Sequence, residues 1–263
     1  MAIVMIDQDG VMLNERYQTN AQVHDLWQTM AQRGFRFVAN SDTPSVRLQR
    51  NVEQLLKVHA QGLIAENGAH VTYLGHTRRA HLNAGYAIDW RSAVEKRLGT
   101  VADAVHIGDA PTWRRMNIMF EPRQRLILLD EQRRFSVSLY ALVTDAAGRL
   151  QIDAVWANEV SSLVNAIDRP EELSAPVYNP AYGIMIAGAA SCNKTTGYEL
   201  LRSIAGDDQY YMIGDSTSDI IPGVTLCAVG NACNELKNTA SFVATEPYTA
   251  GLRQCLEWIA QTS

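Results

Sequence analysis

Two acidic pairs stand just past short apolar runs at opposite ends of the chain. Ala2–Ile6 runs into Asp7-Gln8-Asp9-Gly10, and Tyr210–Ile213 runs into Gly214-Asp215-Ser216, with Asp219 one helical turn on. Between them, Phe35–Ala39 leads to Ser41 and Asp42, and Lys194 opens a helical pattern. Carboxylates gathered at one place repel unless something offsets their charge. A hard divalent cation does so, and magnesium takes one or two carboxylates together with phosphate oxygens and water. Asp7 and Asp215 are the natural ligands. Successive strand residues face opposite ways, so Asp9 must turn back through Gly10, offering its carbonyl to the metal and leaving its carboxyl for acid–base work. Asp7 is then the candidate nucleophile, because aspartate forms aspartyl-phosphates. Ser41 and Lys194, with Asp42 beside them, are the candidate phosphate-binding positions.

Such a set must be positioned by a common edge. Val23, Leu26, Trp27 and Met30 recur at helical spacing, and Gly34 closes that helix. Phe35–Ala39 and Leu63–Ala65 are further short strands, with Pro44 starting a helix between them. Strand, helix, strand, helix, strand predicts an α/β fold with a doubly wound parallel sheet. The pattern then changes. An amphipathic helix over 86–98 precedes strands expected at Asn117–Phe120, Arg125–Leu129, Phe135–Val143 and Leu150–Trp156, which predicts an antiparallel sheet. The alternating pattern resumes with a strand at Gly183–Ile186, a helix from Lys194, and strands at Tyr210–Ile213 and Leu226–Val229. The expected organisation is a core of 1–77 and 178–263, split by an inserted α+β cap of 78–177. Ligands of open α/β sheets bind beyond the carboxyl ends of the strands, where every residue named above falls.

Composition sets the outer bounds. With 263 residues, 47% hydrophobic and 19% charged, the chain can bury a sizeable core. A net charge of −5 with no basic run argues against nucleic acid as partner. No window approaches the roughly 18 apolar residues of a membrane span. Cys192, Cys227, Cys233 and Cys255 contain no CxxC pair, so they read as free thiols, which suits a reducing, cytoplasmic setting.

The motifs resemble those of the haloacid dehalogenase-like (HAD) hydrolase superfamily, all four in order. Ile6-Asp7-Gln8-Asp9-Gly10-Val11 is similar to its first motif, Ser41 in Ala39–Pro44 to its second, Lys194 to its third, and Ile213–Asp219 to its fourth. An insertion between the second and third resembles the C2-capped branch, which holds Cof-type and sucrose-, trehalose- and mannosylglycerate-phosphate phosphatases. Ala65-Glu66-Asn67-Gly68-Ala69 and Ala228-Val229-Gly230-Asn231-Ala232 also resemble segments of that branch. The resemblance implies a Mg2+-dependent phosphatase with Asp7 as nucleophile and Asp9 as acid–base. It implies metal ligation by Asp7, Asp9 and Asp215, with Asp219 and Ser216 one layer behind. Ser41-Asp42-Thr43 departs from the common Thr-Gly-Arg, keeping the hydroxyl and adding an acid.

Each residue alone has an ordinary explanation: a turn for Asp7–Gly10, a helix cap for Ser41 or Asp215, a solvated helix residue for Lys194. Their joint order past successive strands is what argues for chemistry. In the cap, Arg114, Arg115 and Arg123 are candidate contacts for a second anionic group on the substrate, against the alternative of a solvated surface. The expected activity is hydrolysis of a small phosphorylated metabolite, a sugar or sugar-acid phosphate, by a monomer or homodimer. The alternatives are a phosphomutase of the same fold, a receiver-like switch, and a non-catalytic sugar-phosphate-binding protein.

Overall fold

The computed structural model describes residues 2–81, 85–180, 182–206 and 208–263. In chain order the elements are β1 (Ala2–Asp7), α1 (His24–Gln32), β2 (Phe35–Asn40), α2 (Ser45–Asn51), β3 (Gly62–Ala65), β4 (His70–Tyr73) and β5 (His76–Arg79). There follow α3 (Gly85–Leu98), β6 (Ala104–Gly108), α4 (Ala110–Arg115), β7 (Arg125–Asp130), β8 (Val137–Thr144), β9 (Leu150–Ile152), α5 (Ala154–Asn165), β10 (Val177–Asn179) and β11 (Ile184–Ala187). The chain ends with α6 (Lys194–Ala205), β12 (Gln209–Gly214), β13 (Thr225–Ala228), α7 (Asn234–Thr239), β14 (Phe242–Val243) and α8 (Tyr248–Thr262). Two compact units result. One joins residues 1–80 to 192–263, and the other is 81–191.

The first unit holds an eight-stranded sheet in the order β14-β13-β12-β1-β2-β3-β4-β5. Its strands are parallel from β14 to β3, and β4 and β5 add an antiparallel hairpin. All six residues of β1 are buried, as expected of a central strand covered on both faces. The chain leaves β1 towards β2 and β3 on one side, and later fills β12, β13 and β14 on the other. The order therefore reverses at β1, where doubly wound sheets open a crevice at the carboxyl ends. Register pairs Ile6 with both Ala39 and Ile213, so Asp7 and Asp215 emerge side by side. Trp27 of α1 stacks on Phe37 of β2 with ring centroids 4.0 Å apart, and its indole N–H donates to the His59 carbonyl.

The second unit has a six-stranded sheet, β10-β11-β8-β7-β6 with β9 on β8. Its pairs are antiparallel except β6–β7. Trp90, Val94 and Leu98 of α3 and Trp156, Val160 and Val164 of α5 are buried at helical spacing, and α3 and α5 both pack against β8.

Three expectations require correction. Gly183–Ile186 does not rejoin the parallel sheet. β11 pairs antiparallel with β8 and β10, and the second unit runs to Ser191. Its burial alternates along the strand, the mark of a sheet solvated on one face rather than of a central parallel strand. Leu150–Trp156 is a strand only as far as Ile152. The Asp153 carboxylate then accepts from the Trp156 backbone N–H at 2.8 Å and starts α5. Asn117–Phe120 forms no strand, because Asn117 turns into left-handed conformation at φ 49°.

α6 lies unusually close to the sheet because two glycines face one another. A Cβ on Gly68 would meet the Asn193 carbonyl at 2.2 Å, and one on Gly197 would meet Ile64 Cγ2 at 2.4 Å and Gly68 Cα at 2.9 Å. Alanine at 197 gains up to about 1 kcal/mol of helix propensity. Overpacking against a backbone that cannot retreat costs about 1–3 kcal/mol, so the clash wins. We expect Gly197→Ala to lower stability in urea titration, although it replaces a helical glycine.

Candidate functional site

The carboxyl edge of β1 and β12 carries the acidic groups. Asp7 ends β1, and Asp215 follows β12. A Cβ on Gly10, at φ 83°, would fall 2.0 Å from Asp215 Oδ2. Glycine is thus required twice there, for the bend after Asp9 and for the approach of Asp215. The bend is fastened by the C-terminal half: Asn231 Nδ2 donates to the Gly10 carbonyl at 2.9 Å, and Thr249 Oγ1 to that of Met12 at 3.0 Å.

Lys194 is the first residue of α6, behind an N-cap in which the Asn193 side chain accepts from the Thr196 N–H. A lysine here faces the positive end of the helix dipole, so helix stability does not explain it. The ammonium is buried and lies 2.8 Å from Asp7 Oδ2 and 2.5 Å from Asp219 Oδ1. Burial alone would lower its pKa, but Asp7 and Asp219 outweigh that and hold it above its ordinary value.

Asp219 is fully buried, and its second oxygen accepts from the backbone N–H groups of Asp215 and Ser216 and from Ser216 Oγ. Asp7 Oδ1 accepts from the Gln8 N–H at 2.7 Å. Burial, then the Asp219 charge, pushes the Asp7 carboxyl well above the usual carboxylate range despite Lys194. Burial and Asp219 push Asp215 up to about 6. The Asp9 side chain reaches solvent at its rim but is otherwise ringed by protein. That lost hydration, followed by the Asp42 charge, pushes it up to about 6.

One oxygen each of Asp7, Asp215 and Asp219 lies within 4.8 Å of the others. Three carboxylates stand against one ammonium, which pairs with two of them, so the surplus negative charge and the all-oxygen donor set fit a hard divalent cation. Asp219 is already committed to Lys194, two amides and a hydroxyl. Asp7 and Asp215 carry fewer such bonds and are the carboxylates that could hold such an ion, with Asp219 and Ser216 behind them.

Ser41 is buried, and its Oγ accepts from the Thr43 N–H at 3.1 Å. Its backbone is pinned by bonds to Ile64 O and from Asn67 N. Asp42 is exposed. Its carboxylate repels phosphate, so its backbone N–H is the part suited to an anion. Arg114, Arg115 and Arg123 belong to the second unit. The Arg114 guanidinium lies 5.4 Å from the Tyr140 ring centroid and 5.9 Å from that of Tyr182. Arg115 donates to Thr112 Oγ1, and Arg123 is exposed in a turn. Gln8, Thr43 and Asn51 escaped the sequence reading, although a glutamine set between two aspartates just past an apolar run was a signal. Gln8 Nε2 donates to Asp9 Oδ2 and Thr43 Oγ1, and its Oε1 accepts from Asn51.

No family model matches the sequence, and no curated protein sequence matches it. Solved structures do match, over nearly the whole chain. A haloacid dehalogenase-like hydrolase from Bacteroides thetaiotaomicron is 13% identical, with 98% of each chain covered and a TM-score of 0.66. A trehalose-6-phosphate phosphatase related protein is 14% identical, with 98% of this chain and 97% of that one covered and a TM-score of 0.57. A phosphatase of the HAD superfamily, also from Bacteroides thetaiotaomicron, is 17% identical, with 99% and 95% covered and a TM-score of 0.61.

The chain has the fold of the HAD-like hydrolases. The HAD-like fold places the four sequence motifs at one sheet edge, where strand register and the Gly68–Gly197 approach bring Asp7, Lys194, Asp215 and Asp219 together. Removing one member of a buried ion cluster strands the others, at about 3–5 kcal/mol. We expect Asp219→Ala to lower stability by that order in chemical denaturation. In the wild type, Mg2+ at a hundred times its Kd should add about 2.7 kcal/mol. Asp215→Asn should abolish that gain while leaving the metal-free protein folded, as read by thermal melts with Mg2+ and with EDTA.

Proposed function

We propose that this chain is a Mg2+-dependent phosphatase that hydrolyses a small phosphorylated metabolite, a sugar or sugar-acid phosphate. The supporting observation is the buried Lys194 ammonium between Asp7 and Asp219, with Asp9 beside Asp7 at the same edge. Burial pushes the Asp7 carboxyl up, the ammonium 2.8 Å away works against that shift, and a divalent ion at the same site would favour the ionised oxygen needed for attack; the same ammonium can attract a phosphate dianion. Asp7 and Asp215, with the Asp9 carbonyl, would hold a divalent ion, which when bound would supply charge neutralisation between carboxylate and phosphate. The reading also draws on the HAD-like fold, among whose matched structures are one named as a phosphatase and one as a trehalose-6-phosphate phosphatase related protein.

An Asp7 oxygen forms a bond to phosphorus as the ester P–O bond breaks, and the leaving alkoxide takes a proton from Asp9. A water then gives its proton to Asp9 and bonds to phosphorus, and the P–O bond to Asp7 breaks to release phosphate. Lys194, the Ser41 hydroxyl and the Asp42 backbone N–H bind the phosphoryl oxygens. The substrate is the expected partner of a cytoplasmic monomer or homodimer.

The direct test is phosphate release from a panel of sugar and polyol phosphates, with Mg2+ and with EDTA. Release from a few members that EDTA abolishes is expected; no release from any would sink the proposal. Asp7→Asn should lose at least about a thousandfold in kcat, and Asp9→Asn about a hundredfold or more. Full turnover by Asp7→Asn would exclude the covalent route.

A further inference from the structure

A general acid that faces solvent must still be aimed at the leaving oxygen, and a mobile carboxylate would spend little time there. Among the described residues, the hydrogen-bond donor to the Asp9 carboxylate is Gln8 Nε2, at 3.2 Å. Gln8 is 1% exposed, at a position where an apolar residue would be buried at lower desolvation cost. Its amide is fully engaged. The second N–H goes to Thr43 Oγ1 at 3.1 Å, and Oε1 accepts from Asn51 Nδ2 at 2.8 Å. Turning the amide over would set Nε2 against the Asn51 amide nitrogen and Oε1 against the Asp9 carboxylate, so its orientation is fixed by its partners. Thr43 in turn donates its backbone N–H to Ser41 Oγ.

We propose that Gln8 is a positioning residue that aims the Asp9 carboxylate at the leaving group, clamped from behind by Asn51 and Thr43. The inference rests on the acid–base role of Asp9 given under the proposed function. Asn51 lies in α2 and Thr43 in the turn after β2, so one side chain ties the acid to both segments. The clamp acts through Asp9 alone, so its loss should fall on leaving groups that need a proton and spare those that do not.

The test compares phenyl phosphate with 4-nitrophenyl phosphate, which are alike in size but differ in the basicity of the leaving phenoxide. The readout is kcat/KM in Mg2+, which covers the steps through departure of the leaving group. For Gln8→Met, kcat/KM should fall by at least about tenfold more for phenyl phosphate than for 4-nitrophenyl phosphate. Equal losses on both, or no loss on either, would overturn the proposal. If Gln8→Met does not fold, Asn51→Ala serves, with the same sign expected and the same equality overturning it. If the wild type hydrolyses neither compound, the phosphatase reading is still decided by the sugar and polyol phosphate panel. The clamp is then judged in crystals of wild type and Gln8→Met: an Asp9 carboxylate that leaves its wild-type position supports it, and one that stays overturns it.

Discussion

The site depends on one buried ammonium. Lys194 is enclosed by protein, which by itself favours losing the charge, and Asp7 and Asp219 reverse that preference. In a low-dielectric setting a charge is tolerable only with partners at contact distance. The surrounding architecture supplies them. Parallel pairing of β1 with β12 sets Asp7 beside the turn that bears Asp215 and Asp219. The approach of Gly68 to Gly197 lets the first turn of α6 reach far enough in for its lysine to meet both acids. The Ser216–Asp219 capping box then fixes the orientation of the innermost carboxylate.

Around that ammonium the carboxylates divide the work by how heavily they are already bonded. Asp219 is saturated, so it orients Lys194 and the 214–216 turn. Asp7 keeps one oxygen by the ammonium and one on a backbone amide. Asp215, displaced towards solvent, completes a donor set with more negative charge than the protein offsets. Asp9 sits at the rim, raised to about 6 by lost hydration and by Asp42. That is a range suited to giving and taking a proton near neutrality.

Much of this was legible in the sequence because it depended on local signals. The apolar runs before Asp7, Ser41 and Asp215 marked strand ends, and strand ends of a parallel sheet share one edge. Gly10 marked the bend. What was not legible depended on pairing partners. Gly183–Ile186 reads equally well as a parallel or an antiparallel strand, and only its partners β8 and β10 assign it to the second unit. Leu150–Trp156 reads as one apolar stretch unless Asp153 is recognised as a cap. Which oxygens of Asp219 are free could not be read from its type, because three of its four donors come from the turn it closes. The Gln8–Asn51 contact joins elements with no periodic signature linking them.

The central claim is that Asp7 carries the phosphoryl group. The most direct measurement is borohydride trapping of the protein during turnover of 4-nitrophenyl phosphate in Mg2+, followed by peptide mass spectrometry. An acyl phosphate is reduced to an alcohol, whereas a free carboxylate is not. The account predicts homoserine at position 7, appearing only with substrate and metal together. Turnover that leaves Asp7 unmodified, or reduction at Asp9 or Asp215 instead, would contradict it.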